Sequence, residues 1–156
     1  NRGSSEVYYQ LGFACAQNCD YESALMFLRK AARLDPSSFR PKLLLANSYY
    51  LNSQLTKAIE AYRTAAELEP THPELCGNLG AVLAQLGKVD QAKAVYQRGL
   101  GANPNSPTLH YNLGLLHIQL GELDQARERI LQAQQQGIKV PAEVLEAIGD
   151  EGRIQN

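Results

Sequence analysis

The chain contains no tryptophan, one methionine, three phenylalanines, seven prolines and three cysteines in 156 residues. An odd, sparse set of cysteines, Cys15, Cys19 and Cys76, is not a disulfide framework, which favours a reducing compartment such as the cytoplasm. Charge of one sign is lacking too. Fifteen Lys and Arg stand against sixteen Asp and Glu, for a net charge of −1, so nothing in the sequence offers an electrostatic footprint for nucleic acid. No apolar run approaches the roughly 20 residues that span a bilayer, which argues against direct membrane insertion. The chain begins Asn1-Arg2-Gly3-Ser4 without an initiating methionine, and residues 1–4 are expected to be a linker or the cut edge of a longer chain.

What is present is repetition. The phrase NLGAVLAQLGKVDQA begins at Asn78, and NLGLLHIQLGELDQA begins at Asn112, a period of 34 residues. Aligned on it, the chain divides into units 5–38, 39–72, 73–106 and 107–138. Leu11-Gly12 recurs as Leu45-Ala46, Leu79-Gly80 and Leu113-Gly114. Ala24 recurs as Ala58, Ala92 and Ala126, and Pro36 recurs as Pro70 and Pro104.

Within each unit the apolar residues step by three and four, as in Leu79, Val82, Leu83 and Leu86 and then Val89, Ala92, Val95 and Tyr96, which predicts two amphipathic helices. Gly87 and Gly121 end the first helix in the last two units, while Cys19 and Ser53 hold the same slot less comfortably. Asp35-Pro36, Glu69-Pro70 and Asn103-Pro104 end the second helix, because a residue before proline is steered out of the α region. A glycine inside a helix costs about 1 kcal/mol relative to alanine. Its recurrence at Gly12, Gly80 and Gly114 therefore implies close approach of paired helices. After the fourth unit, Gly137 stops the helix, and Pro141 with Ala142, Val144, Leu145 and Ile148 predicts a capping helix over 141–149; residues 150–156 read as a tail.

This period, with its small-residue places and junction proline, resembles the tetratricopeptide repeat over residues 5 to about 138. The resemblance implies an all-α fold, an α-α superhelix of four helix-turn-helix repeats plus a C-terminal capping helix. It also implies a concave groove lined by the first helices, where a protein or peptide ligand binds. Lys42, Cys76 and His110 depart from the pattern where the family favours a large aromatic. The residues expected in the groove are Tyr9, Phe13, Leu44, Asn47, Tyr50, Asn78, Tyr111, Asn112 and Leu115, an apolar lining with amides among it. Asn47 and Asn78 match the asparagines of the family's carboxylate clamp, but Leu43, Thr108 and Asn112 stand where its cations belong, so an acidic C-terminus is not the expected ligand. Asn78 and Asn112 instead resemble the start of the asparagine ladders with which some members bond the backbone of an extended peptide.

No catalytic or metal site is expected, and no cofactor. His110 and His117 occupy packing slots, His72 ends a junction loop, and Gly99-Leu100-Gly101 lies inside a helix without the strand-to-helix setting of a phosphate loop. The expected role is a protein-interaction module, a scaffold or adaptor. The alternative is a substrate-targeting or assembly segment of a larger enzyme or of a secretion or pilus component. Self-association through the array ends is a further possibility.

Overall fold

The computed structural model describes residues 2–149, and every regular element among them is helical. The helices are α1 (Arg2–Gln17), α2 (Tyr21–Leu34), α3 (Phe39–Leu51), α4 (Leu55–Ala66), α5 (Pro73–Gln85), α6 (Val89–Ala102), α7 (Pro107–Gln119), α8 (Leu123–Gln135) and α9 (Ala142–Ala147). They pack as antiparallel pairs, α1 with α2 through α7 with α8, and each second helix packs on the first helix of the following pair. The first helices α1, α3, α5 and α7 also touch in succession and form one wall of the array.

The same local chemistry is used at each equivalent place. After each first helix the chain reverses through a left-handed residue, Cys19 (φ 59), Ser53 (φ 58), Gly87 (φ 71) and Gly121 (φ 72). The next amide then bonds back to the last turn, from Asp20 N to Cys15 O, Gln54 N to Tyr49 O, Lys88 N to Leu83 O and Glu122 N to His117 O, each at 2.9 Å. This is the C-terminal cap that satisfies carbonyls otherwise left without partners, and glycine adopts it without the steric cost that Cys19 and Ser53 carry.

The recurring glycines of the first helices make room for one large side chain of the paired helix. A Cβ on Gly12 would lie 2.6 Å from Leu28 Cγ, on Gly80 2.6 Å from Tyr96 Cζ, and on Gly114 2.7 Å from Ile130 Cδ1. Leu28, Tyr62, Tyr96 and Ile130 hold one place in the repeat, and all four are buried. The close approach expected from the sequence is thus between a glycine and a side chain four residues beyond the recurring alanines Ala24, Ala58, Ala92 and Ala126, which are themselves fully buried.

Two boundaries differ from expectation. Residues 2–4, expected as a linker, are the first turn of α1, because Arg2 stands where the other junctions have proline and nothing interrupts the helix. Ser5 is buried, and its hydroxyl donates to Ala31 O at 2.9 Å. At the other end, α9 runs from Ala142 to Ala147 with Pro141 at its N-cap rather than in its first turn, since Pro141 is extended (ψ 148). Leu145 and Ile148 join Ala126 and Ile130 in a small cluster, and the Arg127 guanidinium donates to Ile148 O at 2.9 and 2.5 Å, so the flank of α8 is covered. The expected tail at 150–156 lies outside the described residues.

Candidate peptide-binding groove

On the wall of first helices, a cavity of about 590 Å³ opens between α1, α3 and the start of α5. Tyr9 and Phe13 of α1 face Phe39, Arg40, Leu43, Leu44 and Asn47 of α3, with Glu69 and His72 of the junction and Glu74 of α5 closing one side. Tyr9 and Phe13 are one turn apart, with ring centroids at 6.4 Å, and Phe13 remains 41% exposed although it is aromatic. Its lining is mixed, five aromatic or aliphatic side chains against five polar or charged ones, and its size suits a side chain or short segment of a ligand.

Four of the nine residues expected in the groove, Tyr9, Phe13, Leu44 and Asn47, line this cavity. Of the two asparagines of the expected ladder, Asn78 bonds a residue of this lining and Asn112 lies on α7, and both are already engaged. Asn78 Nδ2 donates to Asn47 Oδ1 at 3.0 Å, and Asn112 Nδ2 reaches Gly77 O at 3.5 Å. Asn47 is the hub of this network: its Oδ1 also accepts the Tyr62 hydroxyl at 2.7 Å, and its Nδ2 donates to Glu74 Oε1 at 3.1 Å. Burial among neighbours pushes the Tyr62 hydroxyl well above the ordinary range, so it stays a neutral donor. The amides therefore serve first to register neighbouring units. Asn78 and Asn112 each keep a carbonyl oxygen and a second N–H outside these bonds.

The remaining three lie further along. Tyr50 and Leu115 are each 36% exposed, whereas Tyr111 is half-buried against the cluster that α8 makes with α9. Leu43 is buried and belongs to the core as well as to the cavity wall. Phe39, Glu69 and His72 were not expected in the lining. Phe39 opens a unit and His72 closes one, and their rings meet at 4.8 Å only because the junction folds back. The signal that points to them is their place at a unit boundary next to the first-helix wall.

The other two histidines are buried, as packing slots require. His110 Nε2 lies 2.8 Å from Pro104 O, and Cys76, in the same place one unit earlier, bonds through Sγ to Pro70 O at 3.4 Å. A smaller polar group thus replaces the family's aromatic at each of these places and ties the first helix to the junction proline. His117 does more than fill space. Its Nδ1 lies 2.5 Å from Glu122 Oε2, which also receives Lys93 Nζ at 3.2 Å.

These features define a helical-repeat solenoid of the protein-interaction scaffold class, in which paired helices build a wall and the wall offers a groove. Models of the tetratricopeptide repeat match residues 5–38, 49–111 and 85–139, and the chain belongs to that family. Among curated proteins it is similar to Protein bimA of Emericella nidulans, 29% identical over 93 residues that make up 60% of this chain and 12% of that protein. It is also similar to the photosystem I assembly protein Ycf3 of Synechococcus sp. (strain CC9605), 31% identical over 86 residues, 53% of this chain and 50% of that protein. The chain thus matches half or less of the length of these relatives. Among solved structures, Pseudomonas aeruginosa PilF superposes with a TM-score of 0.82 and 25% identity, covering 95% of this chain and 67% of that one.

Proposed function

We propose that the chain is a binding module that receives a peptide segment of a partner protein on the wall of first helices, with Tyr9, Phe13, Leu44 and Asn47 as the central contacts. The observation that carries this reading is the cavity between α1, α3 and α5, where aromatic and aliphatic surface stays open to solvent beside polar groups that can orient a backbone. Asn78, Tyr50, Tyr111, Asn112 and Leu115 extend the same wall. Each amide bond to a peptide is worth only about 1 kcal/mol net, so the aromatic cavity anchors and the asparagines orient.

The test is site-specific photocrosslinking from Phe13, Leu44 and Leu115, with Met26 on α2 as control, since Met26 is exposed but lies off the wall. Partner adducts from the wall positions and none from Met26 support the reading. Adducts from Met26 alone overturn it.

A second reading is that the array is a targeting or assembly segment of a larger enzyme or machine. The match to 12% of bimA supports it, because there a stretch like this one is a small part of a much longer protein. A reading frame that carries a catalytic or membrane domain together with residues 1–156 is the result that favours it.

A further inference from the structure

The second helices of the array have clefts of their own. Between α4 and α6, over α5, a cleft of about 400 Å³ is lined by Ala66, Ala94 and Val95 together with the buried Leu79 and Leu83. Between α2 and α4, over α3, a cleft of about 290 Å³ is lined by Ala32, Leu45 and Ala61. Ala32 and Ala66, Leu45 and Leu79, and Ala61 and Val95 stand one period apart, so a single feature of the repeat is used twice. Neither cleft shares a residue with the cavity on the wall of first helices.

Cations flank both clefts. Arg33 and Lys42 line the one, Arg63 and Arg98 the other, against the single carboxylate of Glu67 among the described residues. The helices α2, α4 and α6 together carry seven Lys and Arg against three Asp and Glu, in a chain whose net charge is −1. Three of those seven are engaged, Arg29 on the Tyr49 hydroxyl, Lys30 over the Tyr8 ring and Lys93 on Glu122. Among the described residues, Arg33, Lys42, Arg63 and Arg98 form no ion pair, and Arg63 donates only to the neutral Gln91 side chain, at 3.3 Å. At the next equivalent place the chemistry changes. Arg129, one period beyond Val95, is answered by Glu128 at 4.0 Å and by Gln132 at 3.3 Å. Unanswered positive charge is thus concentrated where the two apolar clefts lie.

We propose that this face docks an acidic segment of a partner protein, whose aliphatic side chains enter the two clefts while its carboxylates meet Arg33, Lys42, Arg63 and Arg98. A guanidinium can grip a carboxylate through two parallel N–H bonds, and Arg33, Arg63 and Arg98 are all exposed. The apolar lining selects among polyanions. A phosphate backbone or a layer of lipid headgroups meets the cations but leaves the clefts unfilled, whereas a chain that mixes carboxylates with aliphatic groups satisfies both. Occupancy of this face is independent of the groove on the first helices.

The experiment is fluorescence anisotropy with a labelled synthetic peptide of Glu, Ser and Leu, beside the same peptide with Lys for every Glu. The acidic peptide is expected to bind, more weakly as salt rises, and the basic one not to bind. The double variants Arg33→Glu with Lys42→Glu, and Arg63→Glu with Arg98→Glu, are each expected to raise Kd about tenfold or more, with circular dichroism unchanged. Arg63→Gln with Arg98→Gln removes charge without reversing it and is expected to raise Kd by a smaller factor, which keeps the test intact if a reversal unfolds the chain. Ala94→Glu gives the larger cleft the residue that Glu60 supplies one unit earlier; the site is exposed, and weaker binding with the fold retained is expected. Phe13→Ala, which alters only the first-helix groove, is expected to leave binding of this peptide unchanged, so failure here and failure of the groove reading are separate results. No saturable binding of the acidic peptide, equal binding of both peptides, or a Kd untouched by either reversal overturns the proposal. So does tighter binding of phosphatidylserine vesicles or single-stranded DNA than of the acidic peptide.

Discussion

Asn78 Nδ2 donates to Asn47 Oδ1 across 3.0 Å, joining the first helix of the third pair to that of the second. Both residues were attractive as ligand contacts, and the bond between them means that each is also part of what fixes one unit against the next. Asn47 carries the larger share, because its side chain answers the Tyr62 hydroxyl and the Glu74 carboxylate as well.

Replacing Asn47 with alanine therefore removes three hydrogen bonds and leaves the half-buried Asn78 amide and the buried Tyr62 hydroxyl without this partner. An unanswered buried polar group costs about 1–3 kcal/mol, and the fall in stability is expected in that range. Asn112→Ala breaks only one long bond to Gly77 O and is expected to cost under about 1 kcal/mol. Urea denaturation of the two variants, followed by circular dichroism, measures the difference. Equal losses would show that the hub at Asn47 is no more than the sum of exposed contacts.

Glycine into the array and glycine out of it are expected to act with opposite signs. Gly80→Ala places a methyl group within 2.6 Å of Tyr96 Cζ, inside a well-filled pair, and overpacking of this kind costs about 1–3 kcal/mol despite alanine's better helix propensity. Ser53→Gly relieves a non-glycine residue held at φ 58, a conformation that costs about 1–2 kcal/mol for an L side chain. Part of that gain is lost to the freer unfolded chain, so a rise of up to about 1 kcal/mol is expected. Thermal midpoints of the two variants against the parent chain check both signs.

The helices, their pairing and the family were legible because they rest on a period. Gly12, Gly80 and Gly114 could be read as close contacts before any contact was known, since a costly residue repeated at fixed spacing needs a shared cause. The cavity was only half legible. Tyr9, Phe13, Leu44 and Asn47 follow from helix phase alone, whereas Phe39, Glu69 and His72 reach it through the fold of a junction, which phase does not specify. The roles of Asn78 and His117 were hidden for a related reason: each bonds a residue whose position depends on how two helices are set against each other.

The three thiols are expected to react at different rates. Cys19 is exposed in a turn, Cys15 is half-buried, and Cys76 is buried with its Sγ on Pro70 O. Burial pushes the Cys76 thiol up, an effect that the nearby Arg98 charge only partly offsets, and the thiolate is the reactive form. With a maleimide in excess, Cys19 is expected to label first and Cys76 only when the array opens. Mass spectrometry of the labelled chain in rising urea follows this, and Cys76 labelling as fast as Cys19 in the absence of urea would show that the α5–α6 pair opens locally.

Glu122 gives the chain an acid-sensitive joint between its third and fourth units. A carboxylate can only accept, so His117 Nδ1 carries the proton in the bond to Oε2, and Lys93 Nζ from α6 donates to the same oxygen. The His117 hydrogen bond first, and the Lys93 bond second, hold the Glu122 carboxyl below its ordinary value. The folded chain then binds this proton less readily than the unfolded chain does, so the contribution to stability is fully present above the unfolded value of about 4.3 and is lost as pH falls through the lower folded value. Glu122→Gln is therefore expected to lower the thermal midpoint at neutral pH, with the gap to the parent chain narrowing once pH drops below about 4. A gap that stays constant down to the acid limb would mean that Glu122 acts through packing alone and that its charge contributes nothing to the joint between α6 and α7.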